Sequence, residues 1–159
     1  MPAKHVSAPS TSAIAGGGAL SLKAQLCFTI YSTMLSLNKV YRGLLRGLDL
    51  TYLQYLVMLV LWEKDGINVS EICMRLALET ATLTPLLKRL QARSLIERAR
   101  SASDERQVIG SLTAEGRALH AKAQGLPGCV AQVMELSPPE IAALRGQLLT
   151  LRASLGKNA

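Results

Sequence analysis

The sequence predicts a mainly helical protein that carries one small β-hairpin. Three observations lead there. Hydrophobic residues make up 49% of the 159 and aromatics only 4%, a Leu/Ala-rich balance that suits helices packed on helices better than a sheet sandwich. Apolar residues recur at helical spacing along most of the chain. Only between Ile96 and Leu112 does the period shorten to that of strands. The length fits one domain, able to bury a core without disulfides or metals.

Residues 1–20, rich in Ser, Ala, Gly and Thr, read as a disordered tail. From Leu22, the residues Leu26, Ile30, Met34, Leu37, Leu44 and Leu48 recur at spacings of three, four or seven, a stripe of about seven turns. So long a stripe exceeds the needs of one small domain, so residues 21–50 are expected to form a dimerisation helix, ended by Gly47 and Asp49. Thr51-Tyr52-Leu53-Gln54 is a capping box: the threonine oxygen and the glutamine amide satisfy orphan backbone donors. The helix it opens, through Trp62, is apolar nearly all round and is expected to be buried. Glu63-Lys64-Asp65-Gly66 makes a turn, and Asn68-Val69-Ser70-Glu71 caps a helix running to Ala77. A further helix ends near Arg93. Pro85 lacks a backbone donor and is tolerable only near a first turn, which places this helix's start at Thr80–Thr82.

Ile96–Arg100 and Gln107–Leu112 read as strands joined by the polar tip Ser101–Arg106. Thr113 caps a helix to about Gln124, broken by Gly125-Leu126-Pro127-Gly128. Ser137-Pro138-Pro139-Glu140 is a second capping box and opens a last helix to about Leu155. Residues 114–159 are read as C-terminal dimerisation helices.

Helix, tight turn, helix and two-stranded hairpin, over residues 51–113, is the layout of a winged helix-turn-helix. Its second helix begins with Thr80, Thr82 and Thr84, short hydroxyls that can approach phosphates or base edges. Lys88 and Arg89 follow one turn on, and the hairpin adds Arg98, Arg100 and Arg106. From Lys88 to Arg106 six basic residues face three acidic ones. Arg106, at the tip, suits a narrow minor groove, where negative potential is concentrated. Asp104 is expected to hold its guanidinium. Alone, such a triplet reads first as a solvated charged turn; beside the strands and the threonine-rich helix it points to DNA.

The formal net charge of +7 makes an anionic partner plausible and does not choose between DNA and a membrane surface. The longest apolar run, Tyr55–Trp62, is too short to span a bilayer, and the N-terminus lacks the apolar core of a signal peptide, so a cytoplasmic protein is expected. Three cysteines, none in a CxxC pair, and two histidines, His5 and His120, make neither a disulfide framework nor a metal site.

The remaining chemistry lies in sulfur. Cys27 shares a helical face with Tyr31, four residues on. By periodicity it is a core or interface cysteine, since a free thiol packs as a small hydrophobe. A reactive thiol needs a group that stabilises the thiolate, and tyrosine hydroxyls can donate hydrogen bonds to it. Tyr41 lies fourteen residues after Cys27, about 21 Å along a continuous straight helix. The two can meet only across a dimer. Cys73, beside Ile72, reads as plain core. Tyr55 reads as packing.

Leu50-Thr51-Tyr52-Leu53-Gln54-Tyr55-Leu56-Val57-Met58, then Thr82-Leu83-Thr84-Pro85-Leu86-Leu87-Lys88-Arg89-Leu90, then Asp104-Glu105-Arg106 resemble the MarR family, and within it the organic-hydroperoxide-sensing repressors of the OhrR type. The similarity covers about residues 22–125. Two positions depart: Ser94 stands where the family usually ends the recognition helix with glycine, and Gln107 where a basic residue is common.

The resemblance implies a MarR-like homodimer that binds a pseudo-palindromic double-stranded DNA operator and represses transcription without cofactor or enzymatic activity. It makes Cys27 the redox-sensing residue, with Tyr41 and Tyr52 supplied by the partner chain, and Tyr31 and Phe28 beside the thiol. In the two-cysteine class a second cysteine, here Cys129 in a segment expected to be flexible, resolves the oxidised sensor of the other subunit. A passive surface cysteine is the other reading of Cys129. A MarR-type repressor controlled by a non-covalent aromatic ligand is the alternative for the whole. A thiol peroxidase would explain neither the threonine-rich helix nor the hairpin.

Overall fold

A computed structural model describes residues 18–158. Most of the expected tail, and His5 with it, lies outside the described residues. The chain divides into two compact units between Lys39 and Val40.

The first unit holds a 3₁₀ turn, Leu22–Ala24, and most of α1, Leu26–Leu44. The expected helix therefore begins later than its apolar stripe. Its hydroxyls turn inward on the helix itself: Ser32 Oγ donates to the Phe28 carbonyl at 2.8 Å and Ser36 Oγ to that of Ser32 at 3.1 Å. No residue of α1 is buried. The stripe ends at Asp49, as read, by way of a 3₁₀ turn: Leu45–Leu48 tighten and Asp49 closes them in the left-handed region, at φ 51°. Aspartate tolerates that conformation better than most residues.

In the second unit the Thr51–Gln54 capping box forms as read, with the Thr51 N–H donating to Gln54 Oε1 at 2.9 Å and the Gln54 N–H to Thr51 Oγ1 at 3.3 Å. It opens α2, Tyr52–Glu63, which buries Gln54, Tyr55, Val57, Met58, Val60 and Leu61. α3, Val69–Leu76, is capped by Asn68 and contributes Ile72 to the core. α4, Thr80–Ala92, contributes Leu83, Leu86, Leu87 and Leu90. Pro85 sits in its second turn, deeper than expected. Proline's missing donor leaves the Ala81 carbonyl without its helical partner, and that part of α4 is exposed to solvent, which can serve instead.

β2, Ile96–Arg100, and β3, Val108–Leu112, pair antiparallel from Ile96 opposite Leu112 to Arg100 opposite Val108. A third strand, β1 (Ile67–Asn68), pairs with the far side of β3. Two residues are too few to show alternation, so β1 escapes a reading by period. Asp65 ties this corner together: its carboxylate accepts from the Leu112 N–H at 2.7 Å, the Gly66 N–H at 2.8 Å and the Arg117 guanidinium at 2.7 Å.

α5, Ala114–Ala123, packs closely on the start of the hairpin. A Cβ at Gly116 would stand 2.0 Å from the Leu95 carbonyl oxygen, so only glycine fits. Trp62 Nε1 donates to the Gly116 carbonyl at 2.9 Å, fixing the same approach from α2. The expected break falls at Gln124–Gly125 and is shorter than read: Leu126–Gly128 already belong to α6, Leu126–Met134, which carries Pro127 in its first turn where no donor is missed. α7, Pro138–Gly156, follows the Ser137–Glu140 box and buries no residue. Among the described residues no single helix is long and apolar enough to cross a membrane.

Candidate functional site

The first layer of the site is the outer face of α4. Thr80 and Thr82 are exposed at its N-terminal end, with Lys88 and Arg89 on later turns. The three threonines are not equivalent. Thr84 Oγ1 is spent on the Thr80 carbonyl at 2.8 Å, and Thr80 Oγ1 lies 3.8 Å from Cys73 Sγ. Thr82 has no such partner among the described residues and is the free hydroxyl of the set. Cys73 is half-buried against the core, as its place beside Ile72 suggested.

The hairpin brings the second layer. Arg100 and Arg106 are exposed on it. Arg98 is partly engaged, its Nε donating to Gln91 Oε1 at 2.8 Å, which fastens β2 to the end of α4. Asp104 differs from expectation. Its Oδ1 accepts the backbone N–H of Arg106 at 3.0 Å and its Oδ2 the Gln107 side-chain amide at 3.2 Å. Aspartate here shapes the turn and leaves the Arg106 guanidinium to reach outward. Gln107 in turn accepts from the Asn68 side-chain amide at 2.7 Å, a bond that a basic residue could not accept. At the other family departure, Ser94 ends α4 in the left-handed region, φ 54°, where glycine is at ease.

The tyrosines form a second cluster. Tyr41 and Tyr52 rings stand 4.4 Å apart and Tyr55 lies 6.0 Å from Tyr41. Burial, and then the neighbouring Tyr52 and Tyr55, raise the Tyr41 hydroxyl above its ordinary range; burial does the same for Tyr52. Both therefore remain protonated donors at neutral pH. Tyr55 is buried in the core, in keeping with a packing role. α1 is unbroken from Cys27 to Tyr41. Cys27, Phe28 and Tyr31 are exposed on it. Cys129 is exposed as well, on the first turns of α6 rather than in a flexible segment.

Arg42 and Arg46 escaped the reading by motif. They line a cleft of about 700 Å³ with Arg89 and Arg93. Their i, i+4 spacing at the end of α1 was the available signal.

A three-stranded sheet whose hairpin flanks an exposed, hydroxyl-rich second helix defines the class: a winged helix-turn-helix. Residues 39–122 match the family model of the SarA/Rot transcriptional regulators. The chain is 46% identical over 139 residues to the transcriptional regulator TtmR of Methylorubrum extorquens, covering 87% of this chain and 71% of that protein. It is 40% identical to the organic hydroperoxide resistance transcriptional regulator of Bacillus subtilis, over 86% of this chain and 92% of the relative. AbfR of Staphylococcus epidermidis is similar in structure. Reduced AbfR bound to DNA superposes with a TM-score of 0.70 at 32% identity, over 86% and 93% of the two chains. Its disulfide-formed state gives 0.56 at 34%, over 82% and 91%. The protein belongs to the MarR-type winged-helix regulators, the family that includes SarA/Rot and the hydroperoxide-resistance regulators.

Proposed function

We propose that this regulator is a homodimeric repressor whose hold on DNA is released by organic hydroperoxides through Cys27. The observation that carries the reading is the Tyr41–Tyr52 pair, two protonated hydroxyls 4.4 Å apart by ring centres. With α1 unbroken between them, Cys27 and Tyr41 of one chain are separated by about 21 Å of helix. The thiol that the pair serves is therefore the partner's. The apolar faces that α1 and α7 leave exposed supply the surface for that partner.

The chemistry is a two-electron oxidation. The Cys27 thiolate attacks the distal peroxide oxygen, the O–O bond breaks, and alcohol leaves with a sulfenic acid on Cys27. The Cys129 thiol of the other subunit displaces water from that sulfur, forming an intersubunit disulfide. The new bond shifts the helices that set the spacing of the two reading heads. Thr80, Thr82, Thr84, Lys88 and Arg89 would read or clamp the major groove, with Arg98 and Asp104 bracing the wing and Arg106 in the minor groove. The relative named for hydroperoxide resistance and the disulfide-formed AbfR support this reading. Acting on DNA, such a repressor would work in the cytoplasm.

Protein bound to promoter DNA should be released by cumene hydroperoxide, and Cys27→Ser protein should stay bound. Equal release of both sinks the sensor. Cys129→Ser should abolish the peroxide-induced dimer band on a non-reducing gel; a band that persists removes Cys129 from the mechanism.

A further inference from the structure

Pro85 sits inside α4, where nothing in the packing requires it. Proline is the least favourable residue in a helix interior. Pro85 is exposed, on the side of α4 opposite to the buried Leu83, Leu86, Leu87 and Leu90, and adds nothing to the core. Ala81, one turn earlier, and Lys88, one turn later, are exposed on the same side. What proline does change is the backbone. An N–H at position 85 would bond the Ala81 carbonyl; without it that oxygen keeps its acceptor capacity on the exposed face. Among the described residues no side chain donates to it, and the Thr84 hydroxyl goes to the Thr80 carbonyl at 2.8 Å.

The other groups of this face are mostly donors. Lys88 and Arg89 carry N–H groups and no acceptor. Gln91 Oε1, which could accept, already takes the Arg98 Nε–H at 2.8 Å. Thr82 is exposed, and Glu79 lies at the very end of the helix, as its N-cap. The carbonyl is thus an acceptor set among donors. In the major groove the base donors that an acceptor can meet are adenine N6–H and cytosine N4–H. The surroundings choose between them. The Ala81 methyl and the Pro85 ring are apolar, and the apolar group that the groove offers is the thymine methyl of an A·T pair.

We propose that the Ala81 carbonyl, freed by Pro85, reads the N6 amine of an adenine in each half-site, with the Ala81 methyl and the Pro85 ring against a thymine methyl. The proposal rests on α4 being the reading helix. Its test uses reduced full-length protein and an operator selected from random duplex DNA. Each adenine is replaced in turn, in both half-sites, by purine, which lacks only the N6 amine. In wild type one such replacement should weaken binding by about fivefold per half-site, the size of one neutral hydrogen bond. Pro85→Ala restores the N–H and returns the carbonyl to the helix ladder, and helix propensity favours the change, so folding is not at risk. In that variant the same replacement should cost nothing further, while the others keep their wild-type cost. Looser pairing of purine with thymine is common to both proteins and cancels in the comparison. A purely structural proline would alter the cost at several positions or at none.

If no purine replacement affects wild type, or if Pro85→Ala responds to each one as wild type does, the proposal is overturned. Lys88→Gln/Arg89→Gln tests the helix itself. Full operator affinity in that variant would mean that α4 is not at the DNA, and the proposal falls with that reading. Lost affinity there, beside purine profiles that Pro85→Ala leaves unchanged, overturns the proposal alone.

Discussion

α1 and α2 are neighbours in sequence, α1 with one apolar stripe and α2 apolar nearly all round, and half of the twelve residues of α2 are buried against none of the nineteen of α1. α7, also nineteen residues, resembles α1. α2 is covered by α3, α4 and the sheet of its own unit. α1 and α7 present leucines, isoleucine and methionine that their own chain leaves uncovered. The winged helix folds against itself; the terminal helices leave their apolar faces uncovered.

The sharpest way to break that contrast is to delete equal side chains from each region. Leu87→Ala, in the core at 1% exposure, should cost about 3 kcal/mol at any protein concentration by urea denaturation. Leu148→Ala on α7 should instead show a loss that grows as the protein is diluted, since its stability is linked to association. A concentration-independent loss at Leu148 would refute the assignment of α7 to a dimer. Gly116→Ala forces a methyl into the Leu95 carbonyl and should cost about 3 kcal/mol by thermal unfolding. An unchanged melting temperature would show that α5 can back away from the hairpin.

Asp65 gives a smaller, pH-dependent effect. Burial pushes its carboxyl up, but hydrogen bonds from the Leu112 N–H, Arg117 and the Gly66 N–H prevail and hold it below the ordinary carboxylate range. A depressed acid stabilises the fold above its unfolded pKa and loses that stabilisation as pH falls through the folded one. Asp65→Asn should thus lose about 1–2 kcal/mol at neutral pH and converge on wild type in acid below that range. Equal gaps at both pH values would remove the linkage. Smallest of all, Ser94→Gly should gain about 0.5–1 kcal/mol by relieving the left-handed serine, read as a rise in the denaturation midpoint.

The reading head was legible because its signals are local. Capping boxes at Thr51 and Ser137, the change of period at Ile96 and the threonines of α4 each act within one turn or strand. What escaped depended on tertiary context. β1 exists only because β3 offers it an edge, and Pro127 opens a helix that composition alone reads as a break. Asp104 turned to the backbone of Arg106 because the tight tip presents an N–H closer than any guanidinium. Arg42 and Arg46 lie on an ordinary amphipathic stretch; only folding places them beside Arg89 across the cleft. The tyrosine pair was half legible, since Tyr41 and Tyr52 could be named but their 4.4 Å approach could not be derived from spacing.

Asn68 links these scales. It pairs in β1, caps α3 through the Ser70 N–H at 3.0 Å and reaches Gln107 beside the tip of the wing. The same residue that starts α3 therefore also fastens the wing. On the proposed reading DNA meets a helix and a wing already joined by that bond, so part of the ordering cost falls in folding and not in binding. On that reading, a wing fastened in this way would tolerate little variation in the distance between a major-groove contact and the minor groove beside it.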